Sequence, residues 1–133
     1  IEHIDMDNSI YGYDIQHIKE EKKSYEYLKA VKEMLRVLKN SGTLLLTFPY
    51  GKFENHGFFQ QFDQEMLDRI LLLLGERGSF QSYFFRYLPH GWVACSQEDC
   101  KEIMSFNPHT NRGKGEDGAA HCRSICCIKF QKD

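Results

Sequence analysis

Glu2 and His3 place a carboxylate beside an imidazole. An imidazole changes charge near neutral pH, so His3 has the intrinsic acidity of a general base for a hydroxyl proton, and Glu2 is placed to support it. The other role open to His3 is that of a polar loop residue closing a strand end by hydrogen bonding. A second stretch with chemical content is "YGKFENHGFF", from Tyr50 to Phe59. His56 could contact a substrate there or serve as a structural side chain. Tyr50, Phe53, Phe58 and Phe59 could wall a pocket or pack against a sheet as core. The five cysteines are Cys95, Cys100, Cys122, Cys126 and Cys127. An odd number with an adjacent pair fits no tidy disulfide framework, and the C-x4-C and C-x3-C-C spacings match no common zinc pattern. Buried, reduced thiols are the expectation.

These side chains need a scaffold, and 133 residues suit one domain. The net charge of -2 and the scatter of Lys and Arg give no electrostatic case for a nucleic-acid or membrane-surface partner. The longest apolar run, Ile70 to Leu74, is too short to span a bilayer. A cytoplasmic protein is expected.

Residues 5–23 read as a surface loop leading to a charged helix start. From Ser24, a plausible N-cap, Tyr25, Leu28, Val31, Leu35 and Leu38 recur at steps of three and four, which predicts an amphipathic helix ended by Asn40 to Gly42. Thr43 to Phe48, apolar without alternation, predicts a central strand covered on both faces. A loop follows. Asp63 then caps a helix whose inner side is Met66, Leu67, Ile70, Leu71 and Leu74, with Phe62 and Leu67 placed as a hydrophobic staple and Gly75 as its end. Ser79 to Tyr87 is aromatic and β-prone. Ser96 to Asp99 has the form of a capping box. Asn107 to Gly118 reads as a mobile surface loop, and His121 to Phe130 as a last strand. The order is helix, strand, helix, strand, short helix, strand. The short connection before the last strand favours an antiparallel pair there.

The stretch from Ala30 to Gly51, "AVKEMLRVLKNSGTLLLTFPYG", resembles class I S-adenosylmethionine-dependent methyltransferases. In that family a helix ending R-V-L-K-P-G-G feeds the fifth strand of a seven-stranded Rossmann-like sheet. Arg36 to Lys39 match, and Asn40-Ser41 stand where Pro-Gly is usual. "IEHI" from Ile1 to Ile4 falls where the family carries an E-H-I or E-H-V signature beyond its fourth strand. "PYGKFENHGFFQQFDQEMLDRIL", His90 to Trp92 and the closing stretch are similar to later elements of a branch often associated with sugar and polysaccharide modification.

The resemblance implies an α/β fold: residues 1–133 as the C-terminal part of one methyltransferase domain, with strands five, six and seven, their helices, and an antiparallel last strand. The cofactor-binding half would precede it. No G-x-G-x-G occurs, and Arg112 to Gly118 has neither an apolar strand before it nor a helix after it. By this resemblance S-adenosylmethionine is the cofactor, lying against Ile1 and Glu2, and this chain alone is expected to be inactive. His3 and Glu2 are the catalytic pair, and Tyr50, His56, Phe58 and Phe59 bind a small-molecule or glycan acceptor that is methylated at oxygen. No metal is expected. The alternative is a divalent ion on Glu2, His3 and His56, as in a subset of class I enzymes, which would acidify the acceptor hydroxyl. Trp92 is expected to be structural. A homodimer, or association with the N-terminal half, would satisfy the exposed sheet edge. A different class of function, a noncatalytic α/β module used for protein association, fits the absent glycine loop as well.

Overall fold

The computed structural model describes residues 1–7, 22–107, 110–111, 113–119 and 121–133. Most of the stretch expected to be an N-terminal surface loop and charged helix start lies outside them. The chain is mixed α/β. Helix α1 spans Tyr27–Val37, and Tyr27, Val31 and Leu35 form its buried stripe. Its N-cap is Glu26, without a side-chain cap, rather than Ser24; the Ser24 hydroxyl accepts from the Glu26 N–H (3.3 Å) and donates to Asp5 (2.7 Å) in the turn ahead of the helix. The left-handed residue past its end is Ser41, at φ 59°. Gly42 serves a different purpose: a Cβ there would sit 2.7 Å from the Lys39 carbonyl oxygen.

Strand β1 (Thr43–Pro49) follows, then a two-residue ribbon of β2 (Glu54–Asn55) and β3 (Gln60–Gln61) inside the expected loop. Helix α2 (Gln64–Gly75) starts where Asp63 predicts, with the Asp63 carboxylate accepting from the Met66 N–H at 3.1 Å. Phe62 and Leu67, the two staple residues, are both fully buried. Strand β4 (Gly78–Leu88) pairs with β5 (Gly91–Cys95) across a tight turn at Pro89 and His90. β5 was absent from the predicted order. Helix α3 (Gln97–Cys100) carries the full capping box of Ser96 and Asp99. The last strand, β6 (Ser124–Lys132), runs antiparallel to both neighbours in a sheet of order β1-β6-β4-β5.

Both long helices contribute to one core. Phe62 lies 4.7 Å from the rings of both Tyr27 and Phe48, and Leu46, Phe84, Cys126, Ile128 and Phe130 close the sheet side. Fully burying one such apolar side chain contributes about 1.5–3 kcal/mol. The expectation of a β1 covered on both faces is corrected: among the described residues β1 pairs with β6 alone and only one of its faces is covered. Leu46 and Phe48 face the helices, whereas Leu45 on the other face is 70% exposed. Trp92 is half exposed and packs edge-on against Tyr87 across the β4–β5 pair at 5.6 Å. Among the described residues, no helix is long and apolar enough to cross a membrane.

Candidate active site

The loop joining β2 to β3 turns at Gly57, whose φ of 87° suits a residue without a side chain. The turn is tied on several sides. The His56 N–H donates to the Phe59 carbonyl (2.9 Å), the Gly57 N–H to Asn55 Oδ1 (2.8 Å) and the Asp7 N–H to the Gly57 carbonyl (2.7 Å). Phe58 and Phe59 therefore stand side by side, 4.9 Å apart and edge to face.

Three imidazoles gather on this pair. His56 stacks on Phe59 at 4.7 Å and 15°. His3 lies 6.1 Å from Phe58 and 6.4 Å from Phe59, and His121 lies 6.2 and 6.5 Å from the same rings. The N-terminal turn is anchored here by the Gln60 N–H on the Glu2 carbonyl (3.0 Å) and by a 2.6 Å contact between His3 Nδ1 and the Phe58 carbonyl. That carbonyl can only accept, so Nδ1 carries the proton and a neutral His3 presents Nε2 as the basic nitrogen. The His3 side chain is 41% exposed, and Nε2 sits 3.7 Å from Glu2 Oε1.

His56 is built differently. Its side chain is fully buried, and Nε2 meets the Ser105 hydroxyl at 2.7 Å. The single hydroxyl proton of Ser105 goes to Glu54 Oε2 (2.7 Å), so His56 Nε2 must be the donor in this network. In the neutral ring that leaves Nδ1 as a lone-pair acceptor, buried and without a partner among the described residues. Glu54 also accepts from the Ser105 N–H at 2.5 Å. Burial raises the Glu54 carboxyl, and the nearby His56 ring and the two Ser105 bonds more than offset that, so it stays ionised below the ordinary range. This is not a hydrolase triad, because the acid touches serine and Nε2 while Nδ1 stands alone.

The structure thus brings together His3, Glu2, His56, Phe58 and Phe59. It does not bring Tyr50 to them. Tyr50 is fully buried, edge-on to Phe84 at 5.1 Å, and its hydroxyl donates to Gln64 (3.1 Å) and accepts from Gln97 (3.0 Å). Phe53 packs at the core margin beneath the Lys23 ammonium, 5.3 Å above its ring. Ile1 packs against the core. The described residues contain no glycine turn leading from a strand into a helix. Among the described residues, no group of three or more His, Cys, Asp or Glu is placed to hold a metal ion, so Glu2, His3 and His56 do not meet as ligands, nor do the cysteines.

Sequence reading missed Glu54, Ser105 and His121. Glu54 carried a signal, two residues from His56 in an extended segment; Ser105 and His121 carried none, being joined to the site only by the fold. No protein-family model, no curated protein and no solved structure matches this chain.

Proposed function

We propose that this chain is the acceptor-binding, C-terminal part of an S-adenosylmethionine-dependent methyltransferase that methylates a hydroxyl of a small molecule or glycan. The observation that carries the reading is the meeting of two histidines of unlike character on one aromatic pair: His3, half exposed with Nε2 basic, and His56, buried and stacked on Phe59. The sequence resemblance places both on the acceptor side. The antiparallel last strand and the helix leading into β1 agree with what that resemblance implies. When bound, the cofactor supplies a methyl group activated as a sulfonium; its cradle would come from sequence outside these residues. Within the chain, Phe58 and Phe59 give a sugar or small ring an apolar surface. His56, stacked on Phe59, holds that surface in place for the acceptor. His3 Nε2 takes the proton as the oxygen reacts, and Glu2 steadies the imidazolium that results.

The test is methyl transfer from labelled S-adenosylmethionine by the native full-length protein to a panel of sugars and phenols. His3→Ala should lower turnover about a hundredfold or more, and His56→Ala should weaken acceptor binding. Unchanged turnover in His3→Ala removes the base, and a native reading frame beginning at Ile1 removes the methyltransferase reading. A second reading, a noncatalytic association module, is favoured by one observation: among the described residues, the outer face of β1 is exposed.

A further inference from the structure

We propose that Cys95 and Cys100 form a reversible thiol–disulfide site for low-molecular-weight disulfides, with Cys95 attacking and Cys100 resolving. The pair is built by a local sequence, Cys-Ser-Gln-Glu-Asp-Cys. Cys95 ends β5, and the Ser96–Asp99 capping box turns the chain at once into α3, whose last residue is Cys100. The turn is held from both ends: the Asp99 N–H donates to the Ser96 hydroxyl (3.2 Å), and the Ser96 N–H to the Asp99 carboxylate (2.9 Å). It leaves the two reduced sulfurs 3.3 Å apart. A disulfide needs about 2.05 Å, so closure asks for a shift of about 1 Å. It forfeits only the 4.0 Å contact of the Cys100 thiol with the Phe85 carbonyl.

The surroundings assign the two roles. Cys95 is partly exposed, whereas Cys100 is fully buried. Burial, and then the Cys95 contact, push the Cys100 thiol up to about 12, so this sulfur keeps its proton and can donate it toward Cys95. Arg86 stands on the same face of the sheet, two residues from Phe84, which lies opposite Cys95. It brings a positive charge to the pair, and its Nε is buried without a partner among the described residues. Asp99 opposes that charge, but the Ser96 N–H and hydroxyl hold its carboxylate. A Cys95 thiolate attacks one sulfur of the small disulfide, forming a mixed disulfide and releasing a first thiolate, which takes up the proton that Cys95 lost. The Cys100 sulfur then attacks Cys95 Sγ, and its proton leaves with the second small thiol. The protein loses two hydrogens, and the small disulfide gains them as two thiols. So short a loop gains less from a cross-link than a long one, and a partly exposed sulfur stays open to exchange, so thiols reverse the bond.

Residues 100–105 run from this pair to the Glu54–His56 network. A Cβ on Gly51 would sit 2.3 Å from the Ile103 carbonyl oxygen and 3.2 Å from that of Cys100, so this strap lies directly on the turn after β1. The Lys52 N–H donates to the Ile103 carbonyl (3.0 Å), and Ser105 joins the network through Glu54. Bonding Cys100 to β5 fastens the far end of the strap and reduces its local opening.

Mixtures of oxidised and reduced glutathione are the probe, with the native protein and its Cys95→Ala and Cys100→Ala variants compared by peptide mass mapping. The wild type should lose two hydrogens between Cys95 and Cys100, hold no lasting glutathione, and regain the hydrogens in excess reduced glutathione. Cys100→Ala should accumulate glutathione on Cys95, because its resolving thiol is gone, and Cys95→Ala should leave Cys100 unmodified. A wild type that stays reduced, or glutathione settling on Cys100 in Cys95→Ala, overturns the assignment. Amide hydrogen exchange at Lys52 and Ser105 should slow about tenfold on oxidation of the wild type and not in either variant. Unchanged rates overturn the link to the strap. None of these readouts involves methyl transfer, so the inference stands or falls apart from the methyltransferase reading.

Discussion

Replacing Glu54 with alanine should destabilise the fold far more than its single charge suggests. Glu54 and Ser105 are both buried, and the carboxylate is the acceptor for the Ser105 N–H and hydroxyl. Removing it strands two buried donors, each at about 1–3 kcal/mol, so a loss of about 2–6 kcal/mol is expected. Folded domains are stable by about 5–15 kcal/mol in all, so this is a large fraction. Glu54→Gln keeps one oxygen in place and loses only the charge assistance, so it should lose about 1–2 kcal/mol. Urea denaturation at neutral pH measures both, with unchanged m-values showing that the transition is still the same one. The sign of the pH dependence follows from the depressed carboxyl. Its stabilisation is fully present above the ordinary carboxylate range and is lost as pH falls through the lower folded value, because the proton then binds the unfolded chain first. The gap between wild type and Glu54→Gln should therefore be flat near neutrality and close in acid. A loss below about 1 kcal/mol for Glu54→Ala, or a gap that widens on acidification, would refute the buried network.

Burial pushes the Cys100 and Cys126 thiols up to about 12, so iodoacetamide on the folded chain should label Cys95 well before either, as read by peptide mass mapping. The Cys95 and Cys100 sulfurs lie 3.3 Å apart, so a disulfide oxidant such as oxidised glutathione should join these two first; a mixed pairing with Cys126 instead would contradict the geometry. Asp63→Ala removes the side-chain cap of α2 and should cost about 1 kcal/mol in the same urea experiment, and no measurable change would mean that the Met66 N–H finds another acceptor. Glu2, His3 and His56 are not placed as a metal-ligand group among the described residues, so chelation should leave the proposed methyl transfer intact; loss of activity restored by a divalent cation would overturn that reading.

The elements legible from sequence are those whose signal is local. Asp63 caps α2 with its own side chain, and Met66, Leu67, Ile70 and Leu74 sit at helical steps beneath it, so the short stretch from Asp63 to Leu74 holds everything needed. The capping box of Ser96 and Asp99 is legible for the same reason. β5 was missed because Gly91–Cys95 is short and opens on glycine; it exists because β4 offers a pairing edge. The covering of β1 was misread because "LLL" does not alternate. Which leucine faces water is decided by α1 and α2 packing on one face of the sheet, and no window around Thr43 contains that fact.

The site divides along the same line. Glu2 beside His3, and Glu54 two residues before His56, are visible as pairs of acid and imidazole. What each pair does is set from a distance. The Phe58 carbonyl, far along the chain, fixes the tautomer of His3, and Ser105 turns His56 so that Nδ1 rather than Nε2 is left open. Tyr50 illustrates the converse. It stands next to a glycine at a strand end, where binding residues often sit, yet Gln64 from α2 and Gln97 from α3 close over its hydroxyl and make it core. A residue's type limits the chemistry it can offer, and the orientation of its free nitrogen or oxygen, which decides whether it is offered at all, is a property of contacts between elements that only the assembled fold creates.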